Sequence, residues 1–194
     1  MRVSKEKAHE NRERVIDVAS ELLREKGVDG IGIADLMDAA GLTHGGFYRQ
    51  FKSKDDLVAQ AVDRAFDTTR IALMDHVAHT PGDPLRALVE YYVSSAHVDA
   101  IGQGCSLPAL GSDAGRTADP VLHTVFGDAV EAYLGAIASL VPDVDPGTAR
   151  QRAIAILAEM VGAIVISRAI AAGPLRDEMV RTVRDDLVDR NASA

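Results

Sequence analysis

The sequence predicts an all-α fold, and three observations carry that expectation. Apolar residues return every three or four positions over long stretches, no segment shows the alternation of a half-buried strand, and the clusters of glycine and proline fall between the periodic stretches. Residues 11–26 place Val15, Ile16, Ala19, Leu22 and Leu23 on one stripe, which Gly27 can stop. Residues 33–40 form a short second helix with Leu36, Met37 and Ala40 apolar, broken by Gly41. Thr43 can cap a third short helix ending near Phe51. Ser53-Lys54-Asp55-Asp56 is a loose capping box, with aspartate where glutamate is better, and opens a long fourth helix to about His79. Thr80-Pro81-Gly82-Asp83-Pro84 interrupts that pattern, and further helices are expected at 84–99, 105–114, 119–141, 148–172 and 175–190. That makes about nine helices. No internal repeat or low-complexity tract accompanies them.

Composition narrows the function classes. The 194 residues suffice for one medium domain or two small ones, and 47% hydrophobic with 26% charged content is ordinary globular material. A single cysteine cannot form an intramolecular disulfide, and the first 14 residues contain no apolar signal run, so a reducing cytoplasm is the expected location. With 4% aromatic residues and no tryptophan, a single-strand stacking platform is disfavoured. The net charge of −8 argues at first against nucleic acid, but it is unevenly spread. Residues 1–66 hold 11 Lys and Arg against 12 Asp and Glu, including all five lysines, whereas residues 67–194 hold 10 against 17. A local basic face on the first part is therefore compatible with the acidic total.

Residues 33–54 carry the chemistry. Two short helices meet at Ala40-Gly41-Leu42, and the second reads Thr43-His44-Gly45-Gly46-Phe47-Tyr48-Arg49-Gln50-Phe51. In a helix-turn-helix the second helix enters the major groove by its N-terminus, so it needs apolar anchors inward and small residues and donors outward. Phe47 and Phe51, four apart, supply the anchors, with Leu36 and Leu42 as neighbours. Paired glycines are costly in a helix this short, at about 1 kcal/mol each relative to alanine. Close approach of backbone to DNA gives Gly45 and Gly46 a reason; a loose turn that merely lacks side chains is the bland alternative. Thr43, Tyr48, Arg49 and Gln50 offer donors around them, and Lys54 falls in the first turn of the next helix, where free N–H groups also favour an anion.

The segment from Gly41 to Leu57, with its glycine–aromatic–Tyr–x–x–Phe–x–x–Lys–x–x–Leu pattern, resembles the DNA-binding domain of TetR-family transcriptional regulators. The motif resemblance covers about the first third of the chain. It implies that Gly45 approaches a base edge with His44 and Gly46 flanking it, that Thr43, Tyr48, Gln50 and Lys54 contact phosphates, and that Arg49 lies beside them. Gly32 departs from the Ser or Thr common at the cap of the second helix, and Gln50 replaces a commoner His. The resemblance further implies a three-helix DNA-binding domain over residues 1–53, joined by a long helix to a helical effector-binding and dimerisation domain over residues 54–194. The expected partners are a second copy of the chain, through helices at about 148–172 and 175–190, a palindromic double-stranded operator, and a small-molecule effector.

Residues 153–172 have only Glu159, Ser167 and Arg168 as strongly polar members, which suits a core or interface helix better than a membrane span. Cys105 follows Gly104 at an expected helix start, where the helix field lowers a thiol pKa; the Gly-Cys pair resembles a subgroup of regulators with thiol sensors, while the simpler reading is a small buried residue. Tyr91, Tyr92, His97, Phe126, Tyr133 and Met160 are candidates for a pocket wall, and His76 with His79 beside Asp75 for a metal pair that lacks a third ligand. There is no nucleophile elbow, phosphate-binding glycine loop or zinc-hydrolase motif, so no catalytic residues, metal or cofactor are expected. Two classes of function stand at this point: a ligand- or redox-responsive dimeric regulator acting as a repressor, and a helical enzyme or binding bundle whose motif no longer reads DNA.

Overall fold

A computed structural model describes residues 5–142 and 144–191, and all regular structure among them is helical. Nine α-helices follow one another: α1 (Lys5–Lys26), α2 (Ile33–Ala39), α3 (Lys54–His79), α4 (Pro84–Tyr92), α5 (Ser95–Asp99), α6 (Ser106–Arg116), α7 (Pro120–Ala138), α8 (Pro146–Ala169) and α9 (Pro174–Asn191). A 3-10 segment, His44–Arg49, lies between α2 and α3. Its tighter winding replaces the expected third α-helix. The Gly46 N–H reaches the Thr43 carbonyl at 2.9 Å and the Gln50 N–H the Phe47 carbonyl at 2.8 Å, both three residues back.

The starts of the helices follow sequence logic closely. Asp83, Asp119 and Asp145 each cap a helix whose first residue is proline, accepting backbone N–H bonds of 2.8–3.2 Å. The Ser53 hydroxyl accepts from Asp56 N at 3.0 Å, while the Asp56 carboxylate takes Lys52 N at 2.8 Å, one residue before the position a regular capping box would use. α1 begins six residues earlier than the apolar stripe indicates, because residues 5–10 are polar and leave no periodic mark. The helix expected over 84–99 is broken. Val93 leaves helical geometry at ψ 74, and the Ser94 hydroxyl caps α5 by accepting from His97 N at 3.2 Å.

α3 is the spine. Its first half packs Leu57, Ala61 and Val62 with α1, and its second half lays Leu73 and Val77 among the later helices. Arg64 of α3 grips Glu13 and Asp17 of α1, and Arg12 of α1 reaches Gln60 while its guanidinium carbon lies 5.1 Å from the Phe51 ring centre. α7 packs between α3 and α8, and α9 closes the bundle against α8 and α4. The turn after α1 is tied to α6, where the Asp113 carboxylate accepts the Val28 N–H at 3.0 Å. Gly27 makes that turn possible at φ 77. Among the described residues α7 is the one helix long and apolar enough to cross a membrane by composition, yet Leu122, Tyr133, Leu134 and Ile137 place one face of it in the protein core.

Candidate nucleic-acid interface and interior cavity

The turn from α2 into the 3-10 segment rests on a fully apolar base. Phe47 and Phe51 are buried with ring centres 5.4 Å apart, Leu36 and Met37 are buried beneath them, and Leu42 is half-buried alongside. Above this base Thr43, His44, Gly45, Tyr48 and Arg49 are exposed. Tyr48 is held edge-on to Phe47 at 5.1 Å, and 67% of its surface still faces solvent, unusual for a tyrosine in a well-packed turn. A Cβ placed on Gly45 would meet nothing within 4 Å, and one on Gly46 would meet only ordinary contacts with Met37 and Thr43. The fold itself therefore does not require these two glycines.

Three of the expected site residues behave differently in detail. Thr43 occupies the cap position but its side chain makes no cap bond, because the 3-10 turn already gives the Gly46 N–H to its backbone carbonyl. Gln50 is half-buried, with its side-chain oxygen enclosed and unpartnered, so its amide is less accessible than its neighbours. The Lys54 ammonium donates to the Val28 carbonyl at 2.8 Å, an internal bond between the start of α3 and the turn after α1. Gly32 caps α2 in extended geometry with no side-chain bond, as a glycine there must.

A cavity of about 460 Å³ opens between α3, α4, α5, the 100–105 loop and α7. Tyr91, Tyr92, His97 and Tyr133 line it; Phe126 instead packs against Phe66 at 5.0 Å, and Met160 is sealed in the core. Thr69, Gln103 and Cys105 belong to the wall without having signalled a pocket in sequence, since their enclosure depends on how α3 and the loop meet. His76 stacks on Tyr91 at 4.4 Å and His79 turns back to the Asp75 carbonyl at 2.8 Å, and no group of metal-ligating residues exists among the described residues.

Cys105 takes the simpler of its two expected settings, a small buried residue. It stands at the cap of α6, but it is buried, and burial pushes its thiol pKa up, opposite to the lowering expected from the helix start. Hydrogen bonding to Tyr92, Leu107 and Tyr133 offsets only part of this. The thiol lies 3.7 Å from the Tyr133 hydroxyl, which in turn meets the Thr69 hydroxyl at 3.0 Å.

His97 staples this wall together. Its Nδ1–H donates to the Tyr92 carbonyl at 2.7 Å and its Nε2 accepts the Cys105 N–H at 3.0 Å, which requires the neutral ring. Burial, aided by the positive charge of Arg168 and opposed by the bond to Tyr92, takes its pKa from 6.5 down to about 4. The stability that follows is complete above pH 6.5 and drains away as pH falls toward 4, because the unfolded chain takes up the proton first. The full shift corresponds to about 3 kcal/mol. The thermal midpoint is expected to fall measurably between pH 6.5 and 5.5, and His97→Gln should flatten that interval. An unchanged slope in the variant would refute the assignment.

An exposed donor-rich turn on an aromatic base, joined by one long helix to a cavity-bearing bundle, is the architecture of a helix-turn-helix protein. A family model described as bacterial regulatory proteins, tetR family, matches residues 15–61. The HTH-type transcriptional regulator AcrR from Shigella flexneri is 33% identical over 92 residues, which cover 47% of this chain and 43% of that protein. An HTH-type transcriptional regulator from Mycobacterium tuberculosis is 26% identical over 164 residues, covering 81% of this chain and 84% of that one. A TetR transcriptional regulator structure from Chloroflexus aurantiacus superposes with a TM-score of 0.77 at 25% identity, covering 94% of this chain and 96% of that one. Residues 15–61 thus match the DNA-binding segment of tetR-family regulators, and the chain as a whole shares its helical fold with TetR-family structures.

Proposed function

We propose that this protein is a dimeric, sequence-specific DNA-binding repressor that leaves a palindromic operator when a small molecule occupies its cavity. The carrying observation is the surface around Gly45: backbone free of side chains, flanked by exposed His44, Tyr48 and Arg49, on a rigid apolar base. Such a surface suits a major groove, with the glycines at base edges and Thr43, Tyr48, Arg49, Gln50 and Lys54 toward phosphates. Residues 1–53 take the DNA-reading role and residues 54–194 the effector and dimer roles, in the cytoplasm with the DNA.

Dimerisation is supported by α8, which buries Ala153, Leu157, Met160 and Ile164 inside the chain while Ile154, Val165 and Ile166 stay exposed on its other side. Leu175 at the start of α9 is a further exposed apolar residue. A two-fold pair built on it would set two recognition turns one or more helical turns of DNA apart, about 34–36 Å for one turn.

The test is binding to the DNA upstream of the protein's own gene, read by footprinting and by fluorescence anisotropy at several salt concentrations. A symmetric footprint and an affinity that falls steeply with salt are expected. Protection of a single half-site would sink the dimer, and no binding to any duplex would favour the helical bundle that no longer reads DNA. Cys105 lies on the cavity wall, so a thiol-reactive effector would attach there. Cys105→Ser should then keep operator binding and lose the response to an electrophile; an unchanged response assigns the thiol to the wall alone.

A further inference from the structure

Behind the Gly104 wall of the cavity a buried guanidinium nitrogen is left without an acceptor. The Tyr92 hydroxyl is buried on the cavity wall, where it meets the Cys105 thiol. Arg168 of α8 gives Nε to the Val98 carbonyl at 3.2 Å and Nη2 to the His97 carbonyl at 2.8 Å, which leaves Nη1 buried and unpartnered. A Cβ on Gly104 would lie 2.8 Å from Arg168 Nη2 and 2.7 Å from the His97 ring, so it is the bare glycine that lets the guanidinium come up to the wall. Tyr92, Cys105 and Arg168 stand within electrostatic reach of one another.

A second cation reinforces the first. Arg24 of α1 is 6% exposed with Nε and Nη1 unpartnered among the described residues; Glu21 and Glu25 offset part of its charge, which also reaches Cys105 and Tyr133 on the cavity wall. The one carboxylate on the described wall, Glu90, is exposed at the outer edge and paired with Arg86 at 3.3 Å. Buried donors without acceptors are unfavourable, and buried guanidinium groups without a counter-charge more so. What Arg168 lacks at Nη1 is an acceptor, and because its charge is faced only by Tyr92 and Cys105, with no carboxylate among them, an anionic acceptor is favoured.

We propose that the effector is a small, mainly apolar carboxylic acid whose carboxylate lies at the Tyr92–Gly104 end of the cavity, facing Arg168, with its apolar body toward Ala72 and Leu73. This rests on reading the cavity as the effector site. Arg24, whose charge reaches Cys105 and Tyr133 on the wall, stands on α1, and through it the ligand charge is felt by the helix that supports the DNA-reading turn.

The experiment is calorimetric titration of the full chain at pH 7.5 with biphenyl-4-carboxylate, its carboxamide and 4-(aminomethyl)biphenyl, which share one apolar body. The acid is expected to bind at least about tenfold more tightly than the amide, and the amine most weakly, as for a charge-assisted bond. Arg168→Met should bring acid and amide within threefold of each other by weakening the acid alone. Should that variant fail to fold, the near-isosteric Tyr92→Phe carries the test, with a loss of about fivefold or more for the acid and none for the amide. Equal binding of all three compounds, or preference for the amine, overturns the acid proposal and leaves the effector cavity standing. No binding by any of them overturns both.

Discussion

Gly45→Val is expected to reduce operator affinity by thirtyfold or more while leaving the thermal midpoint unchanged or slightly raised. The two readouts separate because the glycine has no structural task inside the chain. A Cβ at this position meets no atom within 4 Å, and the residue is not among the glycines with positive φ. Valine therefore fits the free protein without strain, and loss of glycine's extra chain entropy favours folding slightly. Against DNA the same side chain would hold the backbone away from the base edges. Contacts of the base-reading kind are worth about 1–3 kcal/mol each, so forfeiting one or two gives the expected loss. Anisotropy titration and thermal melts on the same preparations check both halves. A variant that binds as tightly as the parent would show that this backbone does not approach the groove.

Val165→Glu is expected to convert the dimer to a monomer and to lower operator affinity by about a hundredfold or more. Val165 is exposed in the single chain, on the same side of α8 as Ile154 and Ile166, so glutamate there leaves the chain's own core intact. Pairing two subunits through this face would bury one unpaired carboxylate from each, at a cost of about 3–5 kcal/mol per site. Operator affinity follows because a dimer's second half-site binds at a high effective concentration that a monomer lacks. Light scattering should show the mass falling from twice to once the chain mass. A persistent dimer would place the interface elsewhere, and a monomer that kept full affinity would separate dimerisation from DNA binding.

The pattern of what could be read in advance has a physical order. Helix starts at Pro84 and Pro120 were legible because an aspartate and the proline after it act within a few residues of each other, whereas α8, expected from 148, starts at Pro146 under the Asp145 cap. The inward pair Phe47 and Phe51 was legible for the same reason, since four residues of spacing decide which face of a turn they share. The break at Val93–Ser94 was harder to see: the apolar rhythm runs on, and it is the return of the His97 ring to the Tyr92 carbonyl that accompanies the new turn. Lys54 was read as a phosphate binder from its place at a helix start, but its ammonium meets the Val28 carbonyl, 26 residues away in sequence.

By itself, then, the sequence determined the helical class, the helix-turn-helix motif with its glycines and aromatic anchors, and the Ser53 cap of α3. These depend on interactions between residues a few positions apart. Only the tertiary structure decided that Cys105 is buried with a raised pKa, that one side of α8 is core and the other exposed, and that Arg168 comes up behind the Gly104 wall of the cavity with one nitrogen unpartnered. Burial and desolvation are set by which distant helices meet. The same cysteine at a helix start is activated in water and suppressed in a core, and local pattern does not say which surroundings it receives.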